Sequence, residues 1–344
     1  MGSSADPRVP SSGAARSLTV AASVLAAISA LSACAAGSSE TPSVTAPASA
    51  SAAAAQSGDV ARAVDIGGGR SMYLTCSGTG RPTVVLVSGL GERADNWAVT
   101  TDPATSGQAV FPQVATIGRV CAYDRPGTET TTAAGRQESR SRPVPQPTSG
   151  TAAAADLQAL LVASGEPGPY VLVGHSYGGD VVRLFAAAHP TATAGLVLVD
   201  ALSENLPDRL SPQQSADLEM LNSPSTQGRP PGAEEFRFSV VFPELRAITA
   251  TPPVPTVVLS ADRKVISSAD IATGQLPPFV TQEFADALWA AQLAAQDELA
   301  GKFPGSTHVT RTNAGHYIHI EQPQVVVDAI RQVVDAARVT PRPS

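Results

Sequence analysis

The chain has 344 residues, 43% of them hydrophobic and only 15% charged, which is enough apolar material for one large α/β domain with a buried core or for two small domains. Its 30 acidic and 23 basic residues leave a formal charge of −7, and no Lys/Arg cluster is interleaved with aromatics, so the phosphate-neutralising surface that nucleic-acid binding needs is missing. The densest basic stretch, Arg136, Arg140 and Arg142, includes Glu138 in a Ser/Pro/Gln-rich segment and reads as a solvated loop.

At the N-terminus, Arg8 and Arg16 precede an uncharged run from Leu18 to Ala33. A positive region followed by a short apolar one ending in small residues is the layout of a secretory signal, and the run is too short and too rich in Ala and Ser to span a bilayer. It closes on Leu31-Ser32-Ala33-Cys34, which resembles the bacterial lipobox, in which the cysteine is acylated and becomes the mature N-terminus. Residues 1–34 are therefore expected to be a signal peptide and Cys34 the lipidation site, placing the protein outside the cytoplasm and anchored to the membrane; a plain secretory signal cut near Ala33 or Ala36 is the alternative. Residues 35–58 are Ala, Ser, Thr, Pro and Gly with almost no large apolar side chain, a composition that cannot bury enough surface to offset ordering entropy and is expected to form a tether.

The remainder, residues 59–340, reads as alternating strands and helices. Val60–Asp65 and Ser71–Cys76 flank Gly67-Gly68-Gly69 as an opening hairpin. Strands follow at Thr83–Val87, Arg119–Tyr123, Tyr170–Val173, Leu196–Val199, Thr256–Leu259 and His308–Thr312. Most are continuously apolar, as parallel strands covered on both faces are. Helices are expected over Thr151–Ser164, Tyr177–His189, Glu283–Lys302 and Pro323–Arg338. This order implies an α/β fold with a mostly parallel sheet. Residues 127–150 are polar and Pro-rich, an irregular excursion; residues 202–255, between two of these strands, have weak helical signals and read as an inserted cap.

The segment that carries chemistry is Tyr170–Gly179, YVLVGHSYGG, a Gly-x-Ser-x-Gly pattern of Gly174, Ser176 and Gly178 between a buried strand and a helix. A serine that must stand clear of a sheet on a sharp turn needs neighbours without Cβ atoms, and the helix that follows directs its positive end at the site. With this motif, from about Val60 to Ala337 the chain resembles the α/β-hydrolase superfamily, in its esterase/lipase-like branch with one inserted cap. The resemblance implies an α/β-hydrolase fold and a serine hydrolase whose nucleophile, acid and histidine follow one another in chain order.

Ser176 is then the nucleophile. Of the five histidines, His316, in Asn313-Ala314-Gly315-His316 after the last strand, matches the family's base; His319 is the rival. Asp262, after the strand TVVL, is expected as the acid that orients the base, with Asp200 at the end of the preceding strand as the alternative. The oxyanion hole is expected from the backbone N–H groups of Tyr177 and Leu90. The family usually has His-Gly in the latter loop where this chain has Ser88-Gly89, which removes a side chain that often braces it. Asp124-Arg125-Pro126-Gly127 resembles a structural turn of the family, with a loop-bracing role for Arg125. In this fold the strands holding Cys76 and Cys121 are neighbours, and an exported protein permits disulfides, so this pair is expected to be bonded.

No HExxH or CxxC pattern occurs, so neither metal nor other cofactor is expected. The expected function is cleavage of a carboxylic ester or related acyl bond through an acyl-enzyme, with Trp97, Phe238 and Phe242 as liners. The expected partners are a small ester or acyl substrate and the membrane, reached through the lipid anchor; no nucleic acid is expected, and the chain is expected to be a monomer. Peptidase, thioesterase, lactonase or cofactor-free haloperoxidase chemistry can run on the same triad, and a catalytically silent, surface-tethered binding protein is the alternative from another class.

Overall fold

The structure, a computed structural model, describes residues 58–132 and 134–339. The proposed signal peptide, Cys34 and all but the end of the tether lie outside these residues. The elements in chain order are β1 (Val60–Gly67), β2 (Arg70–Ser77), β3 (Thr83–Val87), α1 (Val110–Ala115), β4 (Val120–Tyr123), β5 (Glu129–Thr132), β6 (Gly135–Glu138), α2 (Gly150–Ser164), β7 (Tyr170–His175), α3 (Tyr177–Ala188), β8 (Thr193–Val199), α4 (Pro212–Leu221), α5 (Phe238–Arg246), β9 (Thr256–Leu259), α6 (Ser268–Ala272), α7 (Gln282–Gly301), β10 (Thr307–Val309), α8 (Ile318–Glu321) and α9 (Pro323–Val339).

Eight strands form one sheet in the order β1-β2-β4-β3-β7-β8-β9-β10. The β1–β2 and β2–β4 pairs are antiparallel and all the others parallel. The register sets Cys76 opposite Cys121, and the two form a disulfide.

The central strands are buried on both faces, which is why they read as unbroken apolar runs. In β3, Val85 and Val87 pack toward α2 and α3 with Leu157, Leu161, Val181 and Phe185, while Val84 and Leu86 pack toward α1 and α9 with Val114, Val327, Ile330 and Val334. This layered α/β-hydrolase architecture matches the expectation from sequence.

Three details differ from the sequence reading. The polar excursion of residues 127–150 contains a small hairpin, β5–β6, whose side chains are largely exposed. β10 stops at Val309, short of the expected Thr312. The cover over the sheet is built from two segments: Leu206 and Leu218 from residues 202–255 share a third apolar cluster with Ile266, Val280, Phe284 and Leu288, which follow β9.

β3 has β4 on one side and β7 on the other, so the chain reverses its direction of growth there. Crevices beyond the carboxyl ends of strands at such a reversal are where open α/β sheets bind ligands. The loops after β3, β7, β8, β9 and β10 all emerge at that edge, and the expected triad and oxyanion-hole residues lie on them or, for Tyr177, at the start of the helix that follows.

Candidate active site

Ser176 sits between β7 and α3 with φ 52° and ψ −125°, a strained conformation for a residue with a Cβ. The turn is possible because its neighbours are glycines. A Cβ on Gly174 would come within 2.4 Å of the Gly178 carbonyl oxygen, and one on Gly178 would come within 2.2 Å of the Val87 carbonyl oxygen. Gly178 therefore lets the first turn of α3 press directly on the end of β3, which brings the backbone after the serine against the loop that carries Leu90.

A cavity of about 470 Å³ opens over this turn, lined by Ser176, His316, Gly89 and Leu90 and otherwise mainly by apolar side chains of the two covering segments, among them Leu202, Leu218, Phe238 and Leu276. Phe238 is a liner as expected, but Phe242 and Trp97 are not. Phe242 is buried in the core beside α3, and Trp97 is buried on the opposite face of the sheet, its ring 4.6 Å from that of His319.

His316 lines the same cavity, and its Nδ1 lies 2.6 Å from Asp200 Oδ2. The expectation that Asp262 is its partner is corrected: Asp262 Oδ1 and Oδ2 accept from the backbone N–H groups of Ala314 (2.9 Å) and Asn313 (3.0 Å). The two aspartates follow adjacent strands whose ends pair, Val199 with Leu259. Asp200 is the first residue past its strand and Asp262 the third past its own, so Asp200 stays under the imidazole while Asp262 reaches only the loop that delivers it. Asp200 is fully buried. Its Oδ1 accepts from the Ala261 N–H at 2.9 Å, and its Oδ2 also accepts from Gln292 Nε2 on α7 at 3.0 Å. Burial alone would lower the pKa of His316, but the hydrogen bond and charge of Asp200, with a smaller contribution from Glu92, outweigh it and hold the imidazole above its ordinary value.

His319, the rival, does not line the cavity. It is buried against Trp97 and His175, its Nδ1 without a hydrogen-bond partner, and burial together with neighbouring His175 pushes its pKa well down.

His175 also lines the cavity and reaches the loop that carries His316: its Nε2 lies 3.0 Å from the His316 carbonyl oxygen and its Nδ1 3.3 Å from Glu92 Oε2. Burial pushes the Glu92 carboxyl up, but the charge and hydrogen bond of His175 outweigh this and bring it down to about 2. Glu92 Oε2 also accepts from the Gly89 N–H at 2.9 Å, so one carboxylate ties the loop after β3 to the loop carrying His316. Among the described residues, Glu92, His175 and His319 bring one donor atom each within 4.8 Å of one another; the hydrogen bonds of His175 to Glu92 and to the His316 carbonyl account for two of the three.

Leu90 faces the cavity, and its N–H makes no hydrogen bond among the described residues. Tyr177 begins α3, and its ring is buried between Phe236, at 5.1 Å, and the Arg125 guanidinium, at 5.2 Å. Glu92 and Gln292, which also line the cavity, carry no sequence signal: each is an ordinary polar residue of a loop or helix, and only the fold brings it to the strand ends. Arg140 of the basic stretch is committed to Asp124 and stacks on Tyr73 at 3.6 Å.

Two solved structures show what the chain resembles. One, described as Est816, an N-acyl homoserine lactone degrading enzyme, is 17% identical, with a TM-score of 0.51, over 79% of this chain and 100% of that one. The other, a thermophilic esterase from Thermogutta terrifontis, is 23% identical, with a TM-score of 0.47, over 82% of this chain and 99% of that one. At 17% identity the first likeness concerns the fold alone. No curated protein sequence matches the chain. The model of the alpha/beta hydrolase family matches residues 84–329, a span that includes the loop after β3, the serine turn, Asp200 and His316, and the chain belongs to that family.

Proposed function

We propose that the protein is a serine hydrolase that cleaves carboxylic esters, or closely related acyl bonds, with an uncharged apolar acyl group. The observation that carries this reading is the 2.6 Å contact of His316 Nδ1 with buried Asp200, on an imidazole that shares one cavity with Ser176. A serine hydroxyl attacks at neutral pH only with a base in reach, and the base works best when a buried carboxylate fixes its tautomer.

His316 Nε2 takes the Ser176 proton as Oγ attacks the carbonyl carbon. The Tyr177 and Leu90 N–H groups hold the resulting oxyanion. As the intermediate collapses, His316 returns the proton to the departing alkoxide, and the alcohol leaves. Water, deprotonated by the same imidazole, then attacks the acyl-enzyme and releases the acid and free Ser176.

The cavity supports the choice of acyl group. About half of its lining residues are apolar, leucines foremost, and no lysine or arginine lines it among the described residues, so a substrate carboxylate would be desolvated without a lysine or arginine to pair with. Its volume of about 470 Å³ falls in the range of pockets that take small-molecule ligands and suits a short to medium acyl chain. A panel of p-nitrophenyl esters from acetate to palmitate tests this. Turnover should peak at short to medium chains and vanish in Ser176→Ala; undiminished turnover in that variant, or a preference for acyl groups carrying a carboxylate, would overturn the reading.

We also propose export and anchoring through acylated Cys34, carried by the Leu31-Ser32-Ala33-Cys34 sequence and supported by the Cys76–Cys121 disulfide, which suits an oxidising compartment. Cell fractionation should find the wild type in membranes and Cys34→Ser lost from them. Equal membrane retention of the variant would count against lipidation.

A further inference from the structure

We propose that Arg125 and Glu234 are a positioning pair that aims the Leu90 N–H at the oxyanion and makes the seating of the cap a condition for doing so; the proposal rests on the serine-hydrolase reading above.

A buried ion pair stands beside Ser88 and Gly89 in the loop after β3. Arg125 and Glu234 are each 2% exposed. Arg125 Nε donates to Glu234 Oε1 at 2.5 Å and Arg125 Nη2 to Glu234 Oε2 at 2.9 Å, a bidentate arrangement with little angular freedom. The same guanidinium donates from Nη1 to the Ser88 carbonyl at 2.8 Å and from Nη2 to the Gly89 carbonyl at 2.6 Å. Glu234 Oε2 in turn accepts from the Gly91 N–H at 2.7 Å.

Peptide units are planar and trans, so a carbonyl and the N–H of the next residue point in opposite directions. Drawing the Gly89 carbonyl toward Arg125 turns the Leu90 N–H away from Arg125. The unit before it is held by Arg125 at the Ser88 carbonyl and by Glu92 at the Gly89 N–H. The unit after it is held by Glu234 at the Gly91 N–H. Three consecutive peptide planes are thus pinned by charged side chains, and the Leu90 N–H is the donor they leave unspent. Arg125 also lies over the ring of Tyr177, the residue supplying the second donor.

Glu234 comes from the covering segment. Its backbone N–H donates to the Gly127 carbonyl at 2.8 Å, and the approach is so close that a Cβ on Gly127 would come within 2.6 Å of that nitrogen. Arg229, also from the cap, donates from Nη2 to the Glu234 carbonyl at 2.7 Å and packs against Gly91, where a Cβ would meet its Nη1 at 2.1 Å. Lifting this part of the cap withdraws the carboxylate from both Gly91 and Arg125, and the pinning is lost with it. A buried ion pair is weak evidence of a stability role, since apolar residues of the same volume often serve as well. Its hydrogen bonds to three backbone groups of one loop give it a geometric role.

The test is steady-state kinetics on an ester that the wild type turns over, with phenylboronic acid as a probe that adds Ser176 Oγ to boron and places a tetrahedral oxygen near the Leu90 N–H. Glu234→Gln should lower kcat roughly 10- to 100-fold, less than outright loss of an oxyanion donor, with KM within threefold. Its boronate affinity should fall by the same factor as kcat/KM. The double variant Arg125→Met with Glu234→Met, which leaves no unpaired charge if the single variant fails to fold, should show the same loss. Glu235→Gln, whose residue pairs with Arg237 at the surface, should stay within twofold of wild type. Wild-type kcat in either test variant, or a loss of kcat with unchanged boronate affinity, would overturn the proposal. Absence of ester turnover in the wild type would instead remove the serine-hydrolase reading on which it rests.

Discussion

His316 and Asp200 are joined across 116 residues of sequence by a 2.6 Å contact between Nδ1 and Oδ2, and the same carboxylate oxygen receives Gln292 Nε2. Asp262 is held by the backbone of Asn313 and Ala314. The two aspartates therefore answer differently to the same change. Asp200→Asn should cut kcat by about 10⁴, because an amide no longer fixes the imidazole tautomer. Asp262→Asn only loosens the loop that delivers the imidazole and should cost no more than about a hundredfold. Parallel kinetics of the two variants check this, and equal losses would return Asp262 to candidacy.

The pH dependence follows from the raised pKa of His316. The base acts in its neutral form, so the acid limb of kcat/KM should lie above the ordinary histidine value of about 6.5. Removing the Gln292 donor leaves more negative charge on Asp200 to stabilise the imidazolium, so Gln292→Leu should move that limb to still higher pH. For stability the sign is separate. A raised histidine contributes fully below its unfolded pKa, and the contribution is lost as pH rises through the folded value. Glu92, brought down to about 2, contributes above its unfolded value and loses that contribution as pH falls toward 2. Rate profiles and urea unfolding across pH measure the two effects independently.

Gly178→Ala should damage both stability and rate. Its Cβ would stand 2.2 Å from the Val87 carbonyl oxygen, a backbone group that cannot swing aside. A cost of at least about 2 kcal/mol is expected from such overpacking, together with a larger fall in kcat than in substrate affinity, because α3 would be pushed off the loop carrying Leu90. Denaturant unfolding beside steady-state kinetics measures both.

The Cys76–Cys121 disulfide closes a separation of 45 residues, for which the chain-entropy model gives about 4 kcal/mol. The double variant Cys76→Ser with Cys121→Ser should lose up to that much stability, and less if the unfolded chain stays compact. The bridge joins β2 to β4 at the antiparallel end of the sheet, away from the Ser176 turn, so kcat at low temperature should be unchanged.

Much of this was legible in the sequence. The serine turn was legible because it needs a buried strand, small neighbours and a helix in immediate succession, and YVLVGHSYGG satisfies all three at once. The opening hairpin and the disulfide followed from the strand order implied by the family resemblance. The partner of His316 was misread because two neighbouring parallel strands are each followed closely by an aspartate at the same edge of the sheet, and one-dimensional order does not say which carboxylate turns inward. Glu234 was invisible because its partners, Arg125 and Gly91, are 109 and 143 residues away. The cover was only half recognised: Ile266 and Val280 fill its apolar cluster from beyond β9, in a stretch with no periodicity to mark it. Residues 127–150 read as irregular because the β5–β6 hairpin is mostly exposed, and its strands lack the apolar pattern that a core imposes.

The most direct test of the central claim is the site and rate of labelling by a fluorophosphonate, followed by mass spectrometry of the digested protein. One adduct is expected, on Ser176, formed rapidly in the wild type and at least a thousandfold more slowly, on the order of the loss typical of a missing triad member, in His316→Ala. Labelling at another residue, or labelling of Ser176 at the same rate without the imidazole, would contradict it.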